Sequence, residues 1–196
     1  MPTKKITTPL MPGEYYHIFN RGNDGIKLFY SKANYYFFIK KYFFLLHEYV
    51  DTYCYCLIGN HFHFLIRVND SSQDNYNLVV SHQFRRLFQS YALSINKQEG
   101  RNGSLFRKHF RRINVSKMDY LKRLVFYIHF NPQKHQCVQN FRTYPYSSYN
   151  MILKSRNDLI KSNEVISWFN NLEDFINYHD FMHDERKVQK ISLEDD

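Results

Sequence analysis

This sequence predicts an α+β fold built around one antiparallel sheet, and two patterns carry that expectation. Three short stretches, "EYYHIFNRG", "DTYCYCLI" and "HFHFLIRV", are β-rich, short and bounded by turn residues, as half-buried or buried strands are. Two long stretches, "KANYYFFIKKYFFLLHEYV" and "YNLVVSHQFRRLFQSYALSINKQ", instead repeat their apolar residues at helical spacing.

Each element has a local justification. Asn20-Arg21-Gly22 closes the first strand on a turn, and Ser31 is placed to cap the first helix. Tyr36, Ile39, Tyr42, Phe43 and Leu46 form the expected buried side of that helix. Gly59-Asn60 supplies a tight turn between the second and third strands, and "NDSSQDN" is a polar loop. The second helix is expected to turn Val79, Phe84, Leu87, Tyr91 and Ile95 inward, until "EGRNGS" breaks it. "LFRKHFRRINV" then reads as a short basic strand or strand-like hairpin. The resulting order, β-α-β-β-α-β, is the ferredoxin-like split βαβ arrangement, with two helices on one sheet face. It makes "HFHFLIRV" a central strand and leaves the other face open.

A third helix, "DYLKRLVFYIHFN", starts at a capping-box-like Ser116 and Asp119 and is expected to end at Pro132. "YPYSSYNMIL" reads as a turn and short helix, "NEVISWFNNLEDFINYHDF" as one or two small helices, and "HDERKVQKISLEDD" as a frayed tail. The expected organisation is a main domain over 1–150 and a helical extension over 151–196.

Lys and Arg number 27 against 18 Asp and Glu, a net charge of +9 that points to a polyanionic partner. No apolar run reaches the roughly 18 residues of a membrane span, and the lysines near the start have no apolar core behind them. A cytoplasmic protein is expected, with Cys54, Cys56 and Cys137 as reduced core residues.

The candidate chemistry begins with His61 and His63, which strand alternation puts on one face, where neutral imidazoles can converge on a divalent ion. On the third helix Tyr127 and Asn131 are four apart and share a face. A carboxamide oxygen suits Mg²⁺ or Mn²⁺, and a phenol beside such an ion can act as nucleophile. Pro132 is expected to pull Asn131 somewhat out of α geometry, and Tyr120 is the competing phenol. Arg107, Lys108, Arg111 and Arg112 are interleaved with Phe106, His109 and Phe110, a mixture that suits single-stranded nucleic acid. Arg101, Lys122 and Arg123 lie nearby in sequence, and Arg85 and Arg86 extend the basic patch. Alternation forbids all four residues of the 107–112 cluster from facing one ligand.

"HFHFL" resembles the His-hydrophobic-His motif of HUH single-strand DNA nucleases, and "FYIHFNP" resembles the tyrosine helix of REP-associated tyrosine transposases. "YHIFNRG", "GSLFRKHFRR" and "PYSSY" fall in the order of the same family, so the resemblance covers roughly residues 14–150. It implies a ferredoxin-like fold, Tyr127 as nucleophile, His61 and His63 as metal ligands, and Asn131 in a position that is Gln in some relatives. It also implies Mg²⁺ or Mn²⁺ as cofactor and single-stranded or hairpin DNA as partner, with Asn20 and Arg21 among the DNA contacts. The implied reaction cleaves and rejoins DNA through a 5′-phosphotyrosine in the bacterial cytoplasm, on nucleoid DNA. Related transposases act as homodimers that exchange the tyrosine helix, whereas REP-associated ones can act as monomers. Two other readings stand beside it: a domesticated nuclease cutting repeat hairpins, and a binding module with aromatic residues on an open sheet face.

Overall fold

The computed structural model describes residues 8–154 and 159–183, so the expected frayed tail beyond His183 lies outside them. Strand β1 (Tyr15–Arg21) leads through a short 3-10 turn to helix α1 (Lys32–Leu46). Strands β2 (Val50–Ile58) and β3 (His61–Val68) form a hairpin, followed by α2 (Tyr76–Gln98) and β4 (Arg111–Asn114). The four strands run β2-β3-β1-β4, with every neighbouring pair antiparallel, which is the split βαβ order. β3 is central, as its pattern predicts.

Helices α1 and α2 cover the face on which Phe62 and Phe64 stand. Phe38 packs at 5.3 Å from Phe62, and Tyr42 stacks 4.1 Å from Phe64. The inward stripe of α1 runs Asn34, Phe38, Tyr42, Phe43, Leu46, while Tyr36 is 63% exposed, contrary to expectation. Steps of four residues carry the contact there, and Tyr36 falls off that line. On α2 the same correction replaces Val79 with Val80 as the fully buried residue.

Three further expectations are corrected. Regular pairing in the "LFRKHFRRINV" stretch begins only at Arg111, because Leu105–Phe110 is occupied in docking against the end of β1, where Phe106 bridges Gly22. The second sheet face is not open. Helix α3 (Met118–Lys134) lies over β2 and β3, and Trp168 at the end of α5 (Ser162–Trp168) stacks on Tyr53 with centroids 5.0 Å apart. Register explains the cover: Cys56 pairs with His63 and Cys54 with Leu65, so this face carries fully buried apolar groups. Finally, α3 is flanked at its start by Lys117 rather than by Ser116, and it continues through Pro132. Proline costs only the bond to one carbonyl so close to the helix end, where His135 N–H donates to Asn131 O and Cys137 N–H to Pro132 O.

The chain after α3 closes over that helix. Helices α4 (Tyr149–Lys154), α5 and α6 (Leu172–Met182) share one apolar cluster with the sheet, through Ile152, Val165, Trp168, Phe175 and Met182. The expected boundary at residue 150 falls inside α4. Cys54 and Cys56 are buried as expected, whereas Cys137, in the loop after α3, is exposed.

Behind α3 runs a fully buried polar chain. His179 Nδ1 lies 2.8 Å from Phe175 O and must donate to it, which leaves Nε2 to accept from His129 Nδ1 at 3.1 Å. His129 Nε2 then accepts from the Ser148 hydroxyl at 3.0 Å, and Ser148 Oγ accepts from Tyr55 N–H at 2.9 Å. Both rings are neutral in this chain.

Two predictions follow from these contacts. A Cβ on Gly22 would lie 2.0 Å from the Ile26 carbonyl oxygen, a backbone atom that cannot step aside. Gly22→Ala is expected to destabilise the chain by about 1–3 kcal/mol in urea unfolding. The second concerns acid. Burial lowers His129 well below 6.5 and His179 to about 3, so the unfolded chain binds more protons below pH 6.5. Their contribution is therefore complete above about pH 6.5 and drains as pH falls toward 3, by up to about 1.4 kcal/mol per unit for each ring. Urea midpoints between pH 7.5 and 4.5 test this: His179→Gln should flatten the dependence, and an unchanged slope would contradict it.

Candidate active site

β3 begins directly after the Gly59-Asn60 turn, which sets His61 at the rim of the sheet and His63 one pleat inside it. His61 Nδ1 lies 2.7 Å from Asn60 Oδ1, and His61 Nε2 lies 3.1 Å from Asn131 Oδ1 on α3. A neutral imidazole has one N–H and cannot donate to both oxygens. With the proton on Nδ1, the Nε2 and Asn131 Oδ1 lone pairs face one another. A flip of either carboxamide, a second proton, or a cation shared between the two acceptors each relieves that opposition. A separation near 3 Å is also that of adjacent ligands about 2.1 Å from an octahedral ion, so this pair fits Mg²⁺ or Mn²⁺.

His63 is buried, and its Nδ1 lies 2.9 Å from His17 Nε2 on β1. Burial, then the neighbouring histidines His17 and His61, push its pKa well below 6.5 and hold the ring neutral, as a ligand must be. The His61 and His63 rings meet edge to face at 5.3 Å. Among the described residues no group of three or more His, Cys, Asp or Glu side chains is arranged to hold a metal ion. The sequence-expected ligands His61, His63 and the Asn131 carboxamide lie at this rim, with only the His61–Asn131 pair in direct contact.

Because α3 continues through Pro132, Asn131 keeps its helical direction, one turn beyond Tyr127. Tyr127 is 5% exposed, its ring edge to face with His63 at 5.6 Å and with His17 at 6.3 Å. Lys134 Nζ sits 5.3 Å from the centre of the Tyr127 ring. Tyr120 is partly buried, two turns toward the start of the helix, about 10 Å along its axis.

The basic residues separate by face. Arg21 pairs across the sheet with His61, and Arg111 lies over the Phe19 ring at 5.7 Å, so both stand on the histidine side. Arg112 turns the other way, bonds Ser81 Oγ at 3.2 Å and lies over Phe110, and its burial lowers its pKa. Arg107 is partly buried, and Lys108 is exposed. Arg123 is exposed, donates to its own helix at Asp119 O, and stands close enough to Tyr178 of α6 to influence its phenol. Asn20 is buried, with Oδ1 accepting from Arg21 N–H at 2.8 Å and Nδ2 donating to Arg107 O at 3.3 Å. Its side chain is thus used in joining β1 to the 105–107 loop.

Three site residues escape sequence reasoning. His17 is recognisable only once β1 is known to pair with β3. Lys134 and His135, whose ring lies 4.5 Å from His61, are hidden by the expectation that the helix stops at Pro132. Continuing the helical spacing from Tyr127 by seven residues would find Lys134.

No family model matches the sequence. It is 26% identical over 110 residues to a Haemophilus influenzae protein whose own assignment as a REP-associated tyrosine transposase is inferred. The match takes in 54% of this chain and 62% of the relative, so the chain spans less than two thirds of that protein's length. A solved structure of a REP-associated tyrosine transposase bound to a REP hairpin aligns with a TM-score of 0.62 at 14% identity, over 82% of this chain and 90% of that one. The chain resembles the REP-associated tyrosine transposases. It shares their α+β architecture, with a four-stranded antiparallel sheet and flanking helices.

If Asn20 serves the fold, Asn20→Ala should cost about 1–2 kcal/mol in denaturant unfolding through the loss of its two bonds. A variant as stable as the parent would show that these two bonds do not hold the joint.

Proposed function

We propose that this chain is a metal-dependent transposase that cleaves and rejoins single-stranded DNA, with Tyr127 as its nucleophile. The observation that carries the reading is the meeting of Tyr127 with His63 and His17, while Asn131, one turn on, touches His61. Similarity to REP-associated tyrosine transposases supports it, and the relative bound to a REP hairpin supports hairpin DNA as the substrate class.

The chain's own groups account for the reaction as follows. Tyr127 Oη attacks the scissile phosphorus in line and loses its proton; the P–O3′ bond breaks, and the departing oxygen takes up a proton as a free 3′-OH. The product is a 5′-phosphotyrosine, and attack by another DNA 3′-OH reverses the step without an added energy source. Lys134, beside the Tyr127 ring, offers a positive charge to the phosphate that docks there. Arg21 and Arg111, on the histidine side of the sheet, offer charge to flanking phosphates. A Mg²⁺ or Mn²⁺ ion held by His61, His63 and Asn131 supplies charge neutralisation and polarisation of the phosphoryl oxygen.

Among the described residues no helix is long and apolar enough to cross a membrane, which accords with work on nucleoid DNA in the bacterial cytoplasm. A purely binding role is the weaker reading. Bases stacked on a sheet need exposed aromatic rings, and here α3 and Trp168 cover that face.

The test is incubation with labelled single-stranded hairpin DNA and Mn²⁺ or Mg²⁺, followed by a search for a protein–DNA adduct that survives denaturation. Tyr127→Phe and His61→Ala are each expected to reduce adduct formation by at least about 1000-fold. An adduct retained in Tyr127→Phe would move the nucleophile to another residue, Tyr120 first.

A further inference from the structure

Both histidines of the pair are held at the same ring atom. Asn60 Oδ1 lies 2.7 Å from His61 Nδ1, and His17 Nε2 lies 2.9 Å from His63 Nδ1. The His17 and His63 rings are inclined by only 23° with centroids 5.1 Å apart, so they meet edge to edge, as an in-plane lone pair requires. His17 is itself 0% exposed and lies against Phe19, its ring 4.6 Å away at an inclination of 25°. Its orientation is therefore set by packing before any ligand arrives.

From this we infer that His17 and Asn60 are positioning residues. Each accepts the Nδ1–H of one histidine, and so both rings present the Nε2 lone pair to a shared cation. The inference rests on the metal-site reading of His61 and His63. A neutral imidazole that binds metal through Nε2 must carry its proton on Nδ1, and an acceptor placed at Nδ1 favours that tautomer. An Asn carboxamide oxygen can only accept. His17 accepts at Nε2 when its own proton sits on Nδ1. Without these partners an imidazole reverts to the commoner Nε2–H form, which turns a proton toward the cation. His17 acts through His63, and Asn60 through His61.

Two readouts test this on the full chain. The first needs no metal: ¹⁵N NMR of labelled protein should find His63 as the Nδ1–H tautomer, shifting to Nε2–H in His17→Phe, which keeps a ring but offers no acceptor. The second is Mn²⁺ binding followed by electron paramagnetic resonance. His17→Phe should weaken Mn²⁺ about 10- to 100-fold, and Asn60→Ala similarly. His17→Gln, whose carbonyl can accept, should recover most of the loss, and thermal melts would establish that each variant is folded. His17→Phe binding Mn²⁺ as well as the parent, or His63 already Nε2–H in the parent, would overturn the inference. Recovery by Phe but not Gln would do the same, since it would mean that His17 only fills space. His61→Ala separates the two levels: Mn²⁺ binding that is absent in the parent or unaffected by His61→Ala would sink the metal site itself.

Discussion

The seating of α3 across β2 and β3 is the contact on which the rest of the molecule depends. From Leu124 to Pro132 every residue of that helix is buried, so it has no solvent face along this stretch. One side meets the sheet, where Cys54, Cys56 and Leu65 present apolar surface. The other meets Phe141, Phe175 and His179 from the segments that follow. Phe126, Ile128 and Phe130 are each worth about 1.5–3 kcal/mol in buried apolar surface. That apolar burial brings Tyr127 to the histidines.

Such a burial carries polar groups inward with it, and each has to be satisfied. His129 is answered by His179 and Ser148, and His63 by His17. The serine belongs to "PYSSY" and also accepts from the backbone of β2 at Tyr55, so that stretch ties the back of α3 to the sheet. Neutral rings suit His63, His129 and His179, because a charged ring in any of these places would lose its hydration without a counter-ion.

At the rim of the sheet that carries His61, two stretches far apart in sequence form a single piece. Gly22 bridges Phe106, Arg107 N–H donates to Arg21 O, and Asn20 reaches Arg107 O. Gly22 is required there because the chain folds back so closely that Ile26 O occupies the space of a side chain. Arg21 is thereby held across from His61, and the 105–107 loop, from which Arg107 and Lys108 project, is held near the same rim.

Period and punctuation in the sequence were enough to determine the order of strands and helices, because those signals are local. Alternation put His61 and His63 on one face, and a spacing of four put Tyr127 beside Asn131. Tertiary structure alone decided which partners those residues meet. The pairing of β1 with β3 brings His17 to His63 across 46 positions of sequence, and no local pattern encodes that register. The passage of α3 through Pro132 was decided the same way, since burial outweighs one lost backbone bond near a helix end. It carried Lys134 to Tyr127. The covering of the second sheet face was also beyond local reading, because the apolar face of a strand does not say what will come to bury it.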